Sequence, residues 1–375
     1  MESMKVGIIS MQRVINYGSY LQAYSLKNII ESFGNEVEFV DYIVEPPIVK
    51  GDETEFITPK KKNFLEKVLV YLWEHRSRKS RKLREFHRAK MILTRKFGEE
   101  YFYDLGVTPL QSYHNKEDVM VIGSDEVFNC LQANPAVGYS KELFGANANA
   151  KKVISYAASF GTTTLKGLDD YGIKSEVKEL LSKFDGISIR DKNSKEVIEE
   201  LLGKEPEYHV DPVFLYDYNG KIPNEVPLRE YIIVYAYGKR ITEKEAEKIN
   251  EFARKRNKKI VTIGETQRFE WEHLILSPFE VLAYFQHADY IITDTFHGTV
   301  FSIKYSKKFV TIIREGNKQK LTDLLCRFGL MNRSVADIYK LEEIITDTIE
   351  YSSIQQKIEE ERKNSVEYLK KYVGE

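Results

Sequence analysis

Short apolar, β-branched runs alternate with helix-period stretches along nearly the whole chain, and this alternation limits the fold more than any other feature. "KVGIIS" (5–10) reads as a strand, "GSYLQAYSLKNIIESFG" (18–34) as a helix closed by Gly34, and "EVEFVDY" (36–42) as the next strand. Further strands are expected at 118–123, 152–158, 186–190 and 208–210, with helical patterns near 175–184 and 193–203. The segment 216–230 carries two prolines and little apolar periodicity, which predicts a linker. Beyond it, strands at 231–237, 259–264, 290–295 and 308–313 are again interleaved with helices. Alternation of this kind favours parallel sheets covered by helices. The chain therefore reads as α/β with a cleft between two such domains, 1–215 and 231–350, and a C-terminal helix over 351–375.

Composition narrows the class. The chain has 375 residues, 42% hydrophobic and 30% charged, enough for a sizeable core and two domains. A formal net charge of −1 gives the molecule no bias toward nucleic acid. The two cysteines, Cys130 and Cys326, are far apart, which predicts spectator thiols in a reduced compartment. The start "MESMKVGIIS" lacks the pattern of a signal peptide, and no apolar run is long enough to span a bilayer. A cytoplasmic protein is expected.

The strand ends carry the polar residues. In "DYIITDTFHGTVFS" (289–302) a buried strand gives way to a helix at Thr295, Phe296, His297 and Gly298. Ligands of open α/β sheets bind at such carboxyl ends. A helix start offers unpaired N–H groups and a positive dipole end to an anion, and glycine allows close approach. "MQRVINYGS" (11–19) puts Arg13, Asn16, Tyr17 and Gly18 after the first strand, where Asn16, Gly18 and Ser19 also read as turn and cap formers. "VIGSDEVFN" (121–129) repeats the design with Ser124 and Asp125, the latter readable as a helix cap. "SIRDKNS" (188–194) supplies Arg190, whose planar fork suits a carboxylate or phosphate. "YHVDPVFL" (208–215) supplies Asp211, with His209 read as a core histidine.

Residues 60–97 break the alternation with 14 Lys and Arg against 3 Glu, a net of +11. Phe64, Leu65, Val68, Leu69 and Leu72 fall on one helix face, predicting an inserted helical hairpin. Its charge reads first as a solvated face, and second as a patch for an anionic surface at the inner side of a membrane. Phosphate-loop, dinucleotide, zinc and nucleophile-elbow motifs are all missing from the sequence. An anion site built on histidine and arginine, without metal or redox cofactor, is what the strand ends predict.

Taken in order, "GIISMQRVINYGSYLQAYSL", "VIGSDEVFN", "ISYAASFG", "SIRDKNS", "HVDPVFL" and "DTFHGTVFSI" resemble the polysaccharide pyruvyl transferase family. The likeness runs from about Val6 to Phe309 and more weakly through "GNKQKLTDLL" (316–325), which brings in Lys318 and Lys320. It implies a GT-B-like fold of two Rossmann-like domains. It also implies transfer of pyruvate from phosphoenolpyruvate to two hydroxyls of a sugar, the acceptor being free, nucleotide-bound or lipid-linked. The resemblance sets the donor against His297 and Arg190. Many members have an arginine two positions before that histidine, where this chain has Thr295. Such chemistry assigns His297 to acid work and Asp125 to accepting the sugar's proton. Two other readings fit the same scaffold: a glycosyltransferase using a nucleotide sugar, and a non-catalytic sugar-phosphate binder.

Overall fold

In the computed structural model, residues 3–50, 78–113 and 116–374 are described. Twelve strands are found among them: β1 (Lys5–Ile9), β2 (Glu36–Phe39), β3 (Val119–Asp125), β4 (Lys152–Ala158), β5 (Ser188–Ile189), β6 (Glu207–Tyr208), β7 (Tyr231–Tyr235), β8 (Lys259–Ile263), β9 (Glu272–Leu274), β10 (Tyr290–Thr293), β11 (Phe309–Ile312) and β12 (Ser334–Val335). They form two six-stranded sheets, ordered β2-β1-β3-β4-β5-β6 and β12-β11-β10-β7-β8-β9. The recorded pairings, from Val6 against Val119 in the first sheet to Tyr290 against Ile232 in the second, are parallel.

Parallel strands are covered by helices on both faces, so their sequences are apolar throughout rather than alternating. β3 buries all seven of its residues and β7 all five. Edge strands escape that demand, which is why β9 (Glu-His-Leu) and β12 (Ser-Val) carry no apolar run and were not expected. The expected strand at 36–42 stops at Phe39, and that at 231–237 stops at Tyr235.

In each sheet the strand order reverses once. The chain steps from β1 to β2 on one side and then to β3 on the other; likewise from β7 to β8 and β9, then back to β10. These reversals open crevices at the carboxyl ends of β1 and β3 and of β7 and β10. The helix Tyr17–Glu31 follows β1, capped by Asn16 Oδ1, which accepts from the N–H groups of Gly18 and Ser19. The helix Phe296–Lys304 follows β10, capped by Thr295 Oγ1.

β3 corrects one expectation. No helix begins at Asp125: the strand runs through it, and Asp125 adopts a left-handed φ of 82° at its end. The basic segment is described only from residue 78, as one helix Arg78–Lys96 continuing through a π-helical turn at Phe97–Tyr101. Residues 60–77, with the apolar face expected at Phe64, Leu65, Val68, Leu69 and Leu72, lie outside the described residues. The final helix, Tyr351–Val373, begins against the second sheet's layer, where Tyr351 donates to the Lys307 carbonyl. It ends on the first, where Tyr368 donates to the Ser155 carbonyl of β4. No helix among the described residues is long and apolar enough to cross a membrane.

Candidate active site

Arg190 enters at the end of β5 because the apolar strand gives out there, and it is carried into the interior with only 7% of its surface exposed. A buried guanidinium needs partners. One terminal nitrogen donates to Asp211 Oδ2 at 2.8 Å and the other to Asp125 Oδ1 at 2.9 Å. The Phe296 ring lies beneath the guanidinium, 4.4 Å from it. Two of the five N–H donors of this arginine are thus engaged with carboxylates rather than free for a ligand.

Asp125 takes a further bond from the Ser19 hydroxyl, 2.8 Å away on the first helix. Asp211 caps the short helix Pro212–Leu215 through the Val213 N–H and turns its other oxygen to His297. His297 Nε2 stands 3.5 Å from that oxygen and is buried without a hydrogen-bond partner. Burial pushes the Asp125 carboxyl up, yet the Arg190 guanidinium and the facing His297 outweigh it and hold it below the ordinary carboxylate range. Asp211 is likewise raised by burial and more strongly lowered by His297 and Arg190.

A second bridge crosses the cleft beside the first. Lys320 Nζ binds Glu126 Oε1 at 2.7 Å. Burial pushes Lys320 down and Glu126 up, and their mutual attraction reverses both shifts. The turn that leads into the helix Lys318–Arg327, which carries Lys320, is braced by Arg314, which reaches Asp294 and Glu245, each at 3.0 Å. The cluster therefore gathers two permanent cations, Arg190 and Lys320, against three carboxylates, Asp125, Glu126 and Asp211.

The other expected residues divide. Gly18 lies directly against the imidazole: a Cβ there would sit 2.1 Å from His297 Nδ1. Tyr17 donates to the Leu276 carbonyl at 2.6 Å, tying the two halves together beside the site. Lys318 is exposed at the start of its helix. Arg13 is drawn off to Asp41, with Nε 2.5 Å from the carboxylate, and to the Thr108 carbonyl. Ser124 is buried and donates to the Ala157 carbonyl within the sheet. At the helix start, the Gly298 N–H expected to face an anion is taken by Thr295 Oγ1 at 2.9 Å. Nor is Gly298 an opening for a ligand, because a Cβ there would meet Thr293 Oγ1 at 2.2 Å. That glycine lets the helix pack on its own strand. Ser19 and Glu126 were missed as site residues, although Ser19 had been read as a cap and Glu126 adjoins Asp125 in "GSDE".

His209 is a core residue. Its Nδ1 pairs with the Ser188 hydroxyl at 2.8 Å, and its ring lies 4.7 Å from that of Tyr368. Burial, with Arg327 nearby, pushes its pKa down to about 4.

Two parallel-sheet domains facing each other across a cleft, with polar residues at the carboxyl ends of both sheets, define an enzyme-like α/β fold of the GT-B type. The profile of the polysaccharide pyruvyl transferase family matches residues 16–316, and the chain belongs to that family. No curated protein matches it. Among solved structures, a UDP-N-acetylglucosamine 2-epimerase is similar with a TM-score of 0.52 at 11% identity, over 99% of this chain and 97% of that one. The glycotransferase of kitacinnamycin is similar with a TM-score of 0.48 at 10% identity, over 100% of both chains. A putative UDP-N-acetylglucosamine 2-epimerase from Listeria monocytogenes has a TM-score of 0.48 at 11% identity, over 95% of this chain and 91% of that one.

Proposed function

We propose that the protein transfers pyruvate from phosphoenolpyruvate to two hydroxyls of a sugar, forming a ketal in the biosynthesis of a surface polysaccharide. The observation that carries this reading is the continuous chain Ser19–Asp125–Arg190–Asp211–His297, which runs from the first helix of one domain to a helix start of the other. The reaction needs a proton at C3 of the donor, two new C–O bonds at C2, and loss of phosphate from C2. Of the two hydroxyl protons, one is accounted for at C3 and the other on the departing phosphate. His297 is the acid for C3, a role in which histidine works near neutral pH. Asp211 faces its Nε2 and stabilises the protonated ring. Asp125, kept ionised by Arg190, accepts a proton from the acceptor. Lys320, held by Glu126 at 2.7 Å, is the cation at the cleft that the donor's phosphate would draw away from its carboxylate, where many family members rely on an arginine at the position of Thr295.

A lipid-linked acceptor suits the basic segment 60–97, which would draw the protein to an anionic membrane face. Phosphorus NMR with phosphoenolpyruvate and a panel of sugars tests the reaction. Inorganic phosphate should appear only with the right acceptor. Release of a nucleoside diphosphate from a nucleotide sugar would make the protein a glycosyltransferase instead. His297→Gln should slow phosphate release at least ~100-fold, the usual effect of a lost general acid, in a variant that still unfolds cooperatively on heating. A variant that keeps most of its activity removes histidine from the mechanism.

A further inference from the structure

The reaction centre is short of positive charge. Arg190 and Lys320 are matched against Asp125, Glu126 and Asp211. Arg314, farther along the second sheet's carboxyl edge, is shared between Asp294 and Glu245. Three cations therefore face five carboxylates, and each cation is already held by at least one of them. A phosphomonoester brings a further charge of about −1.5 to −2 near neutral pH. Like charges gathered in one cleft repel, so a phosphate-bearing donor needs a cation that is not already committed.

The end of β7 supplies one. Tyr235 pairs with Thr293, so Tyr237, two residues on, emerges beside Thr295 at the strand end that leads to His297. The Tyr237 N–H donates to Asp294 Oδ1 at 3.2 Å, which fastens it there. Lys239 then takes a left-handed φ of 64°, and the Arg240 N–H closes the turn on the Tyr237 carbonyl at 3.2 Å. This turn lays the Arg240 guanidinium over the Tyr237 ring, 4.6 Å from its centre. Both residues are half-buried. Stacking occupies the flat face of a guanidinium and leaves its N–H edge for a ligand. Among the described residues, no ion pair or side-chain hydrogen bond holds Arg240. Burial raises the Tyr237 phenol, and the charged groups that act on it are Lys320, Glu126 and Asp125 of the reaction centre and then Arg240. Burial also raises Asp294, against the pull of Arg314, the Tyr237 N–H and Arg240. Arg240 is thus within electrostatic reach of the residue that precedes Thr295.

We propose that Arg240 grips the phosphate of the donor, with Tyr237 as the platform that aims it. The proposal rests on the pyruvyl-transfer reading and names the residue that holds the anion of that reaction. Paired N–H groups of the guanidinium fit two phosphate oxygens, a match that an ammonium cannot make. The probes are inorganic phosphate, pyruvate and phosphoenolpyruvate, titrated calorimetrically into the full chain and into its Arg240→Ala variant. The variant should bind phosphate and phosphoenolpyruvate about tenfold or more weakly, the scale of a charge-assisted hydrogen bond. Pyruvate, which has no phosphate, should behave alike with both proteins. In turnover, the KM for phosphoenolpyruvate should rise by a similar factor while kcat changes by less than about threefold, as for a lost binding contact. Millimolar guanidinium should restore phosphate affinity to the variant and leave the parent unchanged, which a distorted loop would not allow. If Arg240→Ala does not fold, Arg240→Lys decides, since it keeps the charge, loses the fork and should still bind phosphate more weakly. Unchanged phosphate affinity in a folded variant overturns the proposal. So does a parent that binds neither phosphate nor phosphoenolpyruvate, or an equal loss of pyruvate affinity. If phosphate binding depends on Arg240 but phosphoenolpyruvate is never consumed with any sugar, the anion site stands and pyruvyl transfer falls. If phosphoenolpyruvate is consumed with the same KM by parent and variant, pyruvyl transfer stands and the role of Arg240 falls.

Discussion

Arg190 holds Asp125 and Asp211 through two separate nitrogens, a bridge that a single ammonium cannot span in the same geometry. Arg190→Lys should therefore lose one charge-assisted bond and lower stability by about 1.5–3 kcal/mol in urea denaturation. An unchanged midpoint would mean that one carboxylate is enough. His209 carries a different consequence. Its pKa falls from the ordinary 6.5 to about 4 on folding, so the unfolded chain binds the proton more readily. Its contribution is fully present above pH 6.5 and is lost as pH falls toward 4. Over that window it costs on the order of 3 kcal/mol. His209→Phe should flatten the fall in stability between pH 6.5 and 4, and an unchanged slope would place the sensitivity in other groups. Individual site residues were legible wherever they terminate an apolar run, as Arg190, Asp125 and His297 do. Their pairings were not, because Arg190 and Asp125 are 65 positions apart and Glu126 and Lys320 are 194 apart. Only packing brings such residues together.

Among the elements, the interior strands were the most legible and the edges the least. β7 and β10 are apolar because both faces are covered, whereas β9 and β12 have one neighbour and need no such pattern. Gly298 shows a subtler failure. Its position after a strand suggested room for a ligand, but the room is taken by Thr293 of the same unit. The helix Arg78–Lys96 was read as part of a charged insertion, and nothing in its sequence announced that Ala89 would wall a cavity against β8 and β9. Both roles are compatible, since Arg84, Arg88 and Lys90 remain exposed. The basic segment should bind anionic vesicles weakly, each nearby Lys or Arg contributing about 1 kcal/mol at most. Changing Arg78, Lys79, Arg81 and Lys82 to Ser should release the protein from such vesicles at low salt. Flotation that does not distinguish anionic from neutral lipid would leave the charge as a solvated face.

For the whole molecule, the decisive contact is Gly18 against His297, one from each domain. With His297 91% buried beneath that glycine, little of the ring is open to a ligand while the two domains are in contact. Gly18→Ala introduces a Cβ 2.1 Å from Nδ1, where no adjustment of a flexible side chain relieves the overlap. The variant should therefore rest ajar, with a larger radius of gyration in X-ray scattering and reduced turnover. A scattering curve identical to that of the parent would show that the domains close by another route. How they separate is constrained by the final helix. The chain passes between the domains once through residues 216–230 and again where Tyr351–Val373, seated at Lys307, comes to rest on Ser155. Two crossings tie the domains at two places, so sliding or twisting would strain both ties, whereas rotation about the line joining them would strain neither. Any opening about that line would return His297 to the same place over Gly18, so the two connections would themselves restore the registration of the two half-sites.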